Sequence, residues 1–206
     1  GLGDVYKRQS QGQLIENVIL EAEKAWKGET QVDNILLTAP TGSGKSLLFQ
    51  LPAIYLGKGY NLLTIVVSPL KALIVDQVES LQELGYTRVA YASSDLSPEQ
   101  KMEVYRQVRE GEIDLFYLSP ELLLSYDIKH FVGERRIGLV VVDEAHTVTT
   151  WGKEFRVDYW FLGRYLNTLK QTLGYNFPLF ALTATAVWNP KAVSYTHLTL
   201  PTTPYV

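Results

Sequence analysis

Lys45 and Ser46 close the segment Ala39-Pro-Thr-Gly-Ser-Gly-Lys-Ser46, and far downstream two adjacent carboxylates, Asp143 and Glu144, follow the apolar run Gly138-Leu-Val-Val-Val142. Gly42 and Gly44 lack a Cβ, so backbone N–H groups around them can close on phosphate oxygens, with Thr41 and Ser43 completing the cradle. Lys45 can then reach the β- and γ-phosphates while the Ser46 hydroxyl ligates Mg²⁺. A helix expected to begin at Lys45 adds the positive end of its dipole. Ala39 stands where the strict pattern has glycine. Asp143, ending a buried strand, suits Mg²⁺, and Glu144 suits orientation and deprotonation of an attacking water. Together these residue types allow hydrolysis of a Mg²⁺-bound nucleoside triphosphate.

Such chemistry needs a rigid frame, and the hydrophobic pattern supplies one. Candidate strands are Asn34–Thr38, Leu62–Ser68, Arg88–Ala92, Asp114–Leu118, Gly138–Asp143 and Pro178–Leu182. Most are continuous apolar runs, as strands covered on both faces are. Between them lie helix-period stripes: Leu14, Ile15, Val18, Ile19, Ala22 and Trp26; Leu73, Val78, Leu81 and Leu84; Tyr159, Leu162, Leu166, Leu169 and Leu173. Ser97-Pro-Glu-Gln100 opens a further helix with a capping box and proline at the first position. Gly57-Lys-Gly-Tyr60 is expected to be a turn. Strand–helix alternation predicts a three-layer α/β domain with a mostly parallel sheet.

The bulk numbers narrow the function classes. At 206 residues and 46% apolar, the chain suits one well-buried domain. It holds no run of about 18 apolar residues, so a membrane span is not expected. With no cysteine, disulfides, thiolate zinc sites and cysteine nucleophiles are excluded, which fits a reducing cytoplasm. A net charge of −3 offers no global basic field, so any nucleic acid must be held by local patches.

Asp143-Glu-Ala-His146 with Leu182-Thr-Ala-Thr-Ala186 resembles the first motor domain of superfamily 2 helicases, a RecA-like fold. Trp151-Gly-Lys-Glu-Phe-Arg156 is similar to the aromatic-rich loop of RecQ-family DNA helicases, as are the segments Leu47–Pro52, Val67–Leu73 and Tyr117–Leu122. The resemblance covers essentially residues 10–190. It implies an ATP-dependent 3′–5′ DNA helicase, cytoplasmic or nucleoid-associated, acting with Mg²⁺ on single-stranded or forked DNA. Lys45, Ser46, Asp143 and Glu144 would be its ATP and Mg²⁺ residues, and Gln13 the glutamine that reads the adenine edge. His146, Thr183 and Thr185 would couple the γ-phosphate to domain movement, and Trp151, Phe155 and Arg156 would sense DNA. Exposed aromatics beside an arginine are independently suited to base stacking and phosphate contact. Lys153 and Thr150 depart from the family, which typically has His and Gln there.

Ser68-Pro-Leu-Lys71, Ser93-Ser94 and Ser119-Pro-Glu121 resemble strand-tracking motifs. Each is placed where a strand ends, the edge at which open α/β sheets bind ligands. Ser68, Pro69, Lys71, Ser93, Ser94 and Ser119 are therefore candidate phosphate contacts, which position a strand without reading its sequence. Three other assignments remain open: a DEAH-type RNA helicase, a defence or restriction-associated DNA translocase, and a non-catalytic nucleic-acid-binding module.

The two ends read differently from the interior. Asp4-Val-Tyr-Lys-Arg-Gln9 can be encoded by GAT GTG TAT AAG AGA CAG. The reverse complement of that string, read from its third base, encodes Val193-Ser-Tyr-Thr-His197. The element resembles a transposon-end adaptor used in sequencing libraries. Residues 1–9 and 193–206 are thus expected to be translated adaptor flanking a motor domain at 10–192. The second RecA-like domain, with its arginine finger, is then expected to be missing, and the fragment to hydrolyse ATP poorly. Removing Lys7, Arg8 and Asp4 from the count leaves the interior acidic.

Overall fold

The computed structural model describes residues 10–38, 44–143 and 158–183, with side chains for all of these except 158–164. Six strands, β1 (Ile35–Thr38), β2 (Leu63–Val67), β3 (Val89–Ala92), β4 (Leu115–Leu118), β5 (Ile137–Val142) and β6 (Leu179–Thr183), form one sheet in the order β1-β6-β5-β2-β4-β3. Every pairing is parallel. All six expected strands are present, with ends shifted by a residue or so. β2, β4 and β5 are buried at every position, as their continuous apolar sequences require.

Helices cover both faces. On one side α1 (Gln11–Trp26), α2 (Leu47–Tyr60) and α3 (Lys71–Glu83) bury Leu14, Val18, Leu48, Phe49, Ile74 and Val78 against the sheet. On the other, α4 (Pro98–Arg109), α5 (Pro120–Ser125), α6 (Ile128–Val132) and α7 (Asp158–Leu173) bury a second cluster that includes Tyr105, Phe131 and Leu166. α4 starts with the expected capping box, Ser97 and Gln100 each accepting the other's backbone N–H, and Pro98 at the first position. α1 begins with a second box, Ser10 with Gln13.

Four local expectations need correction. Gly57–Tyr60 is no turn but the last stretch of α2, which ends at Asn61 in the left-handed conformation, φ 53°. Its glycine serves packing: a Cβ on Gly57 would stand 2.4 Å from Cγ of Asp114. Leu84, expected in the α3 stripe, is 83% exposed, because α3 stops at Glu83 and Ile74 takes the buried position. α2 begins at Leu47 rather than Lys45, with Ser46 as its N-cap. Trp26 is only part-covered, set edge-on to the Tyr60 ring at 4.8 Å.

The Gly57 contact sets up a test. Alanine is the better helix former by about 1 kcal/mol, yet Asp114 cannot retreat, being gripped by two arginines. Gly57→Ala is expected to destabilise by about 1–3 kcal/mol, the usual cost of overpacking. Urea denaturation showing a stabilised variant would contradict that.

Candidate nucleotide and nucleic-acid site

A wholly parallel sheet brings every strand's C-terminal end to one edge, where ligands of such folds bind. Thr38 lies opposite Thr183, Val142 opposite Ala181 and Val67, and Leu118 opposite Val67 and Ala92. The residues that leave the strands therefore run in a row. It passes from Thr38 at the end of β1, through Thr183 on β6 and Asp143 after β5, to Ser68 after β2, Ser119 after β4 and Ser93 after β3. Neighbours in that row are one strand spacing apart, about 4.8 Å. Backbone bonds hold the middle of it: Asp143 N–H donates to Val67 C=O at 2.9 Å, and Ser68 N–H to Leu118 C=O at 3.1 Å.

The first half of the row carries the expected nucleotide residues. Gly44 has φ +72°, a conformation open to glycine, and the chain turns there into α2 through bonds from Leu47 N–H to Gly44 C=O and Leu48 N–H to Lys45 C=O. Lys45 and Asp143 are buried. Ser46 caps α2 by position only; its hydroxyl makes no capping bond and is not consumed by the helix. A hydroxyl at a helix start and a buried carboxylate are hard oxygen donors, which fit Mg²⁺ accompanied by phosphate oxygens. Thr41, Gly42, Ser43, Glu144, His146 and Thr185 lie outside the described residues.

Gln13 stands on the exposed face of α1, where its Oε1 accepts the Ser10 N–H at 2.9 Å, leaving its amide N–H groups to meet a ligand. A different glutamine approaches the phosphate loop: Nε2 of Gln11 lies 3.8 Å from where a Cβ on Gly44 would stand. Nothing in the local sequence marked Gln11, since its proximity depends on how α1 packs on α2.

The second half holds the hydroxyls expected to meet nucleic acid. Ser119 caps α5, accepting the Leu122 N–H at 3.4 Å, and Ser93 accepts the Asp95 N–H at 3.4 Å. Both keep a hydroxyl proton to donate. Ser68 is different: α3 is capped at Leu70, beyond Pro69, and the buried Ser68 hydroxyl has no hydrogen-bond partner among the described residues. Lys71, the first residue of α3, is exposed and reaches across to Ser94 Oγ at 2.5 Å and Asp95 Oδ1 at 2.8 Å. Trp151, Phe155 and Arg156 lie outside the described residues.

Asp95 thus already engages the Lys71 ammonium and would compete with any other anion for it. The hydrogen bond from Lys71 holds its carboxyl below the ordinary carboxylate value. A depressed pKa means the contact is complete above that ordinary value and is lost only as pH falls through the lowered one, so it persists at neutral pH. An exposed pair of this kind is screened by solvent and contributes little. Asp95→Asn is therefore expected to tighten oligonucleotide binding about two- to fivefold, and Lys71→Ala to reduce its salt slope by about one. Fluorescence anisotropy across a salt series measures both; weaker binding by Asp95→Asn would contradict the placement of Lys71.

The all-parallel six-stranded sheet with helices on both faces is a RecA-like α/β fold, and comparison with known proteins agrees. Residues 11–193 match the DEAD/DEAH box helicase family, and the chain belongs to it. Within that family it is similar to RecQ helicases. The ATP-dependent DNA helicase RecQ of Synechocystis is 42% identical over 156 residues, covering 73% of this chain and 31% of that protein. RecQ of Haemophilus influenzae is 33% identical over 181 residues, 84% of this chain and 28% of the relative. The ATP-dependent helicase SGS1 of Saccharomyces cerevisiae is 36% identical over 76% of this chain and 11% of its own length. The chain thus spans under a third of the curated relatives it matches. Among solved structures, the DNA-bound helicase MrfA superposes with TM-score 0.63 at 21% identity, over 88% of this chain and 27% of that one. The helicase domain of Pyrococcus furiosus Hef does so with TM-score 0.57 at 22% identity, over 91% and 39%. At those identities the likeness speaks for the fold.

Proposed function

We propose that this chain is the N-terminal motor domain of an ATP-dependent DNA helicase that moves 3′–5′ along single-stranded or forked DNA. The observation that supports this is the single edge on which Asp143 and Ser68 leave adjacent strands, so that residues proposed for nucleotide and for strand tracking are neighbours. Relatives named as ATP-dependent DNA helicases support it.

Mg²⁺, when bound with ATP, would draw charge from the phosphate oxygens. Ser46 and Asp143 are the residues to hold it, and Lys45 the one to neutralise the β- and γ-phosphates. Gly42, Ser43 and Gly44 would offer backbone N–H groups, with Thr41 assisting them and Gln13 reading the adenine edge. Glu144 would hold and deprotonate the attacking water. His146, Thr183 and Thr185 would pass the γ-phosphate state to the rest of the motor. Ser68, Lys71, Ser93, Ser94 and Ser119 would hold the DNA backbone by position alone, with Trp151, Phe155 and Arg156 reporting its presence.

We further propose that residues 1–9 and 193–206 are adaptor-derived; the family match over 11–193 supports that boundary. Among the described residues no helix is long and apolar enough to cross a membrane, which is in keeping with a cytoplasmic or nucleoid-associated enzyme. Hydrolysis by this chain is expected to be slow, as it spans under a third of the helicases it resembles.

The test is binding of a fluorescent ATP analogue with and without Mg²⁺, followed by titration with single-stranded DNA and RNA oligonucleotides of equal length. Mg²⁺-dependent nucleotide binding with DNA preferred over RNA is the expected result. Preference for RNA would favour the DEAH-type RNA helicase instead. Oligonucleotide binding without nucleotide binding would leave only the non-catalytic module.

A further inference from the structure

A buried hydrogen-bond chain crosses beneath the seam between the two halves of the edge. Gln50 on α2 donates from Nε2 to the Tyr117 hydroxyl at 3.3 Å, and that hydroxyl donates to Gln77 Oε1 on α3 at 2.8 Å. All three residues are buried, although the layer around them is apolar, formed by Phe49, Ile74, Val78 and Val66. Burying a polar side chain costs free energy unless it is hydrogen-bonded, and leucine would fill such a layer without that requirement. Three polar groups satisfying one another there tie particular elements together.

Those elements are the ones the two ligands would use. The Gln50 N–H donates to the Ser46 carbonyl at 2.9 Å, one turn from the serine assigned to Mg²⁺. Tyr117 precedes Leu118, whose carbonyl accepts the Ser68 N–H. Gln77 rides on α3, the helix that Lys71 begins. Burial raises the Tyr117 hydroxyl above its ordinary pKa, the Gln50 bond pulls it down, and the Asp143 charge adds a smaller upward push.

We propose that Tyr117 is a positioning residue which, through Gln50 and Gln77, couples the nucleotide helix α2 to the strand-tracking helix α3. This rests on the assignment of the edge to ATP and DNA made above. Coupling carried this way is reciprocal: nucleotide and DNA change each other's affinity by the same factor. Tyr117→Phe keeps the ring against Phe49, centroids 6.4 Å apart, and deletes the atom that the two amides share.

The experiment uses the purified chain. The dissociation constant of a Mg²⁺-bound, non-hydrolysable ATP analogue is measured with and without saturating oligothymidylate, and the reciprocal titration checks the ratio. Wild type is expected to show a ratio of at least about five, the lower range of allosteric coupling. In Tyr117→Phe the ratio should fall to near one, with each separate affinity within about threefold of wild type. Gln77→Leu should lose the ratio as well, and the double variant should lose nothing further, because both break the same chain. Gln77→Leu carries the test alone if Tyr117→Phe does not fold. A lowered melting temperature with the wild-type ratio intact would make Tyr117 merely structural and overturn the inference, as would a ratio of one in wild type. If the chain binds no nucleotide, or no oligonucleotide, the functional assignment itself fails.

Discussion

Replacing Asp114 with asparagine is expected to cost about 3–5 kcal/mol of folding stability, the range found when one partner of a buried ion pair is removed. The carboxylate is fully buried and takes Arg88 through Nε at 2.6 Å and Nη2 at 2.9 Å, and Arg135 through Nη2 at 2.7 Å. Arg88 is part-exposed and can turn to water, but the Arg135 side chain is 3% exposed. Burial already pulls the Arg135 guanidinium below its ordinary pKa, and the Asp114 hydrogen bond opposes that. Arg135 also donates to the Val108 and Ile113 carbonyls, so it ties the end of α4 and the approach to β4 to the start of β5. Without Asp114 that cation remains buried and uncompensated. At roughly 2–4 °C per kcal/mol for a domain of this size, the melting temperature should drop by about 10 °C. Pairing Asp114→Leu with Arg135→Met should recover much of the loss, since an apolar replacement of both partners removes the stranded charge. A single asparagine variant within about 0.5 kcal/mol of wild type in urea would show that the ion pair contributes little.

The largest functional effect should come from Lys45→Met, which keeps the aliphatic stem and deletes the ammonium. A charged hydrogen bond contributes about 1.5–3 kcal/mol, so affinity for Mg²⁺-bound ATP should weaken about 10- to 100-fold. Lys45 is buried beside Gly44, whose positive φ turns the chain into α2. Ser46→Ala should be milder and show itself as a loss of Mg²⁺ dependence rather than of nucleotide binding outright, because its hydroxyl is otherwise unused by the helix cap. Isothermal titration with and without Mg²⁺ separates the two, and circular dichroism checks that each variant is folded. Unchanged affinity in Lys45→Met would remove the Ala39–Ser46 segment from the nucleotide site.

Both effects concern residues that a local pattern makes visible to different degrees. Lys45, Ser46 and Asp143 stand out because a glycine-rich loop and a carboxylate after a run of valines are short-range signals. Asp114 looks like any residue before a strand; the two arginines that depend on it come from distant parts of the chain. The same blindness explains Gly57–Tyr60, where glycines suggest a turn although the true constraint is the Asp114 side chain. Leu84 fits the helical period, yet α3 ends one residue earlier and leaves it in solvent.

The sequence alone determined the six strands, the helices α1, α3, α4 and α7 and the capping box of α4. Hydrophobic period, turn chemistry and capping act within a few residues, so one chain suffices to reveal them. Strand order was decided only in three dimensions, where β1-β6-β5-β2-β4-β3 emerges from pairings between segments far apart in the chain. That order sets Asp143 beside Ser68, and the helices packed on it bring Gln11 to Gly44 and thread Gln50, Tyr117 and Gln77 into one chain of hydrogen bonds. Such contacts depend on the summed packing of two helical layers on the sheet, which no local window contains.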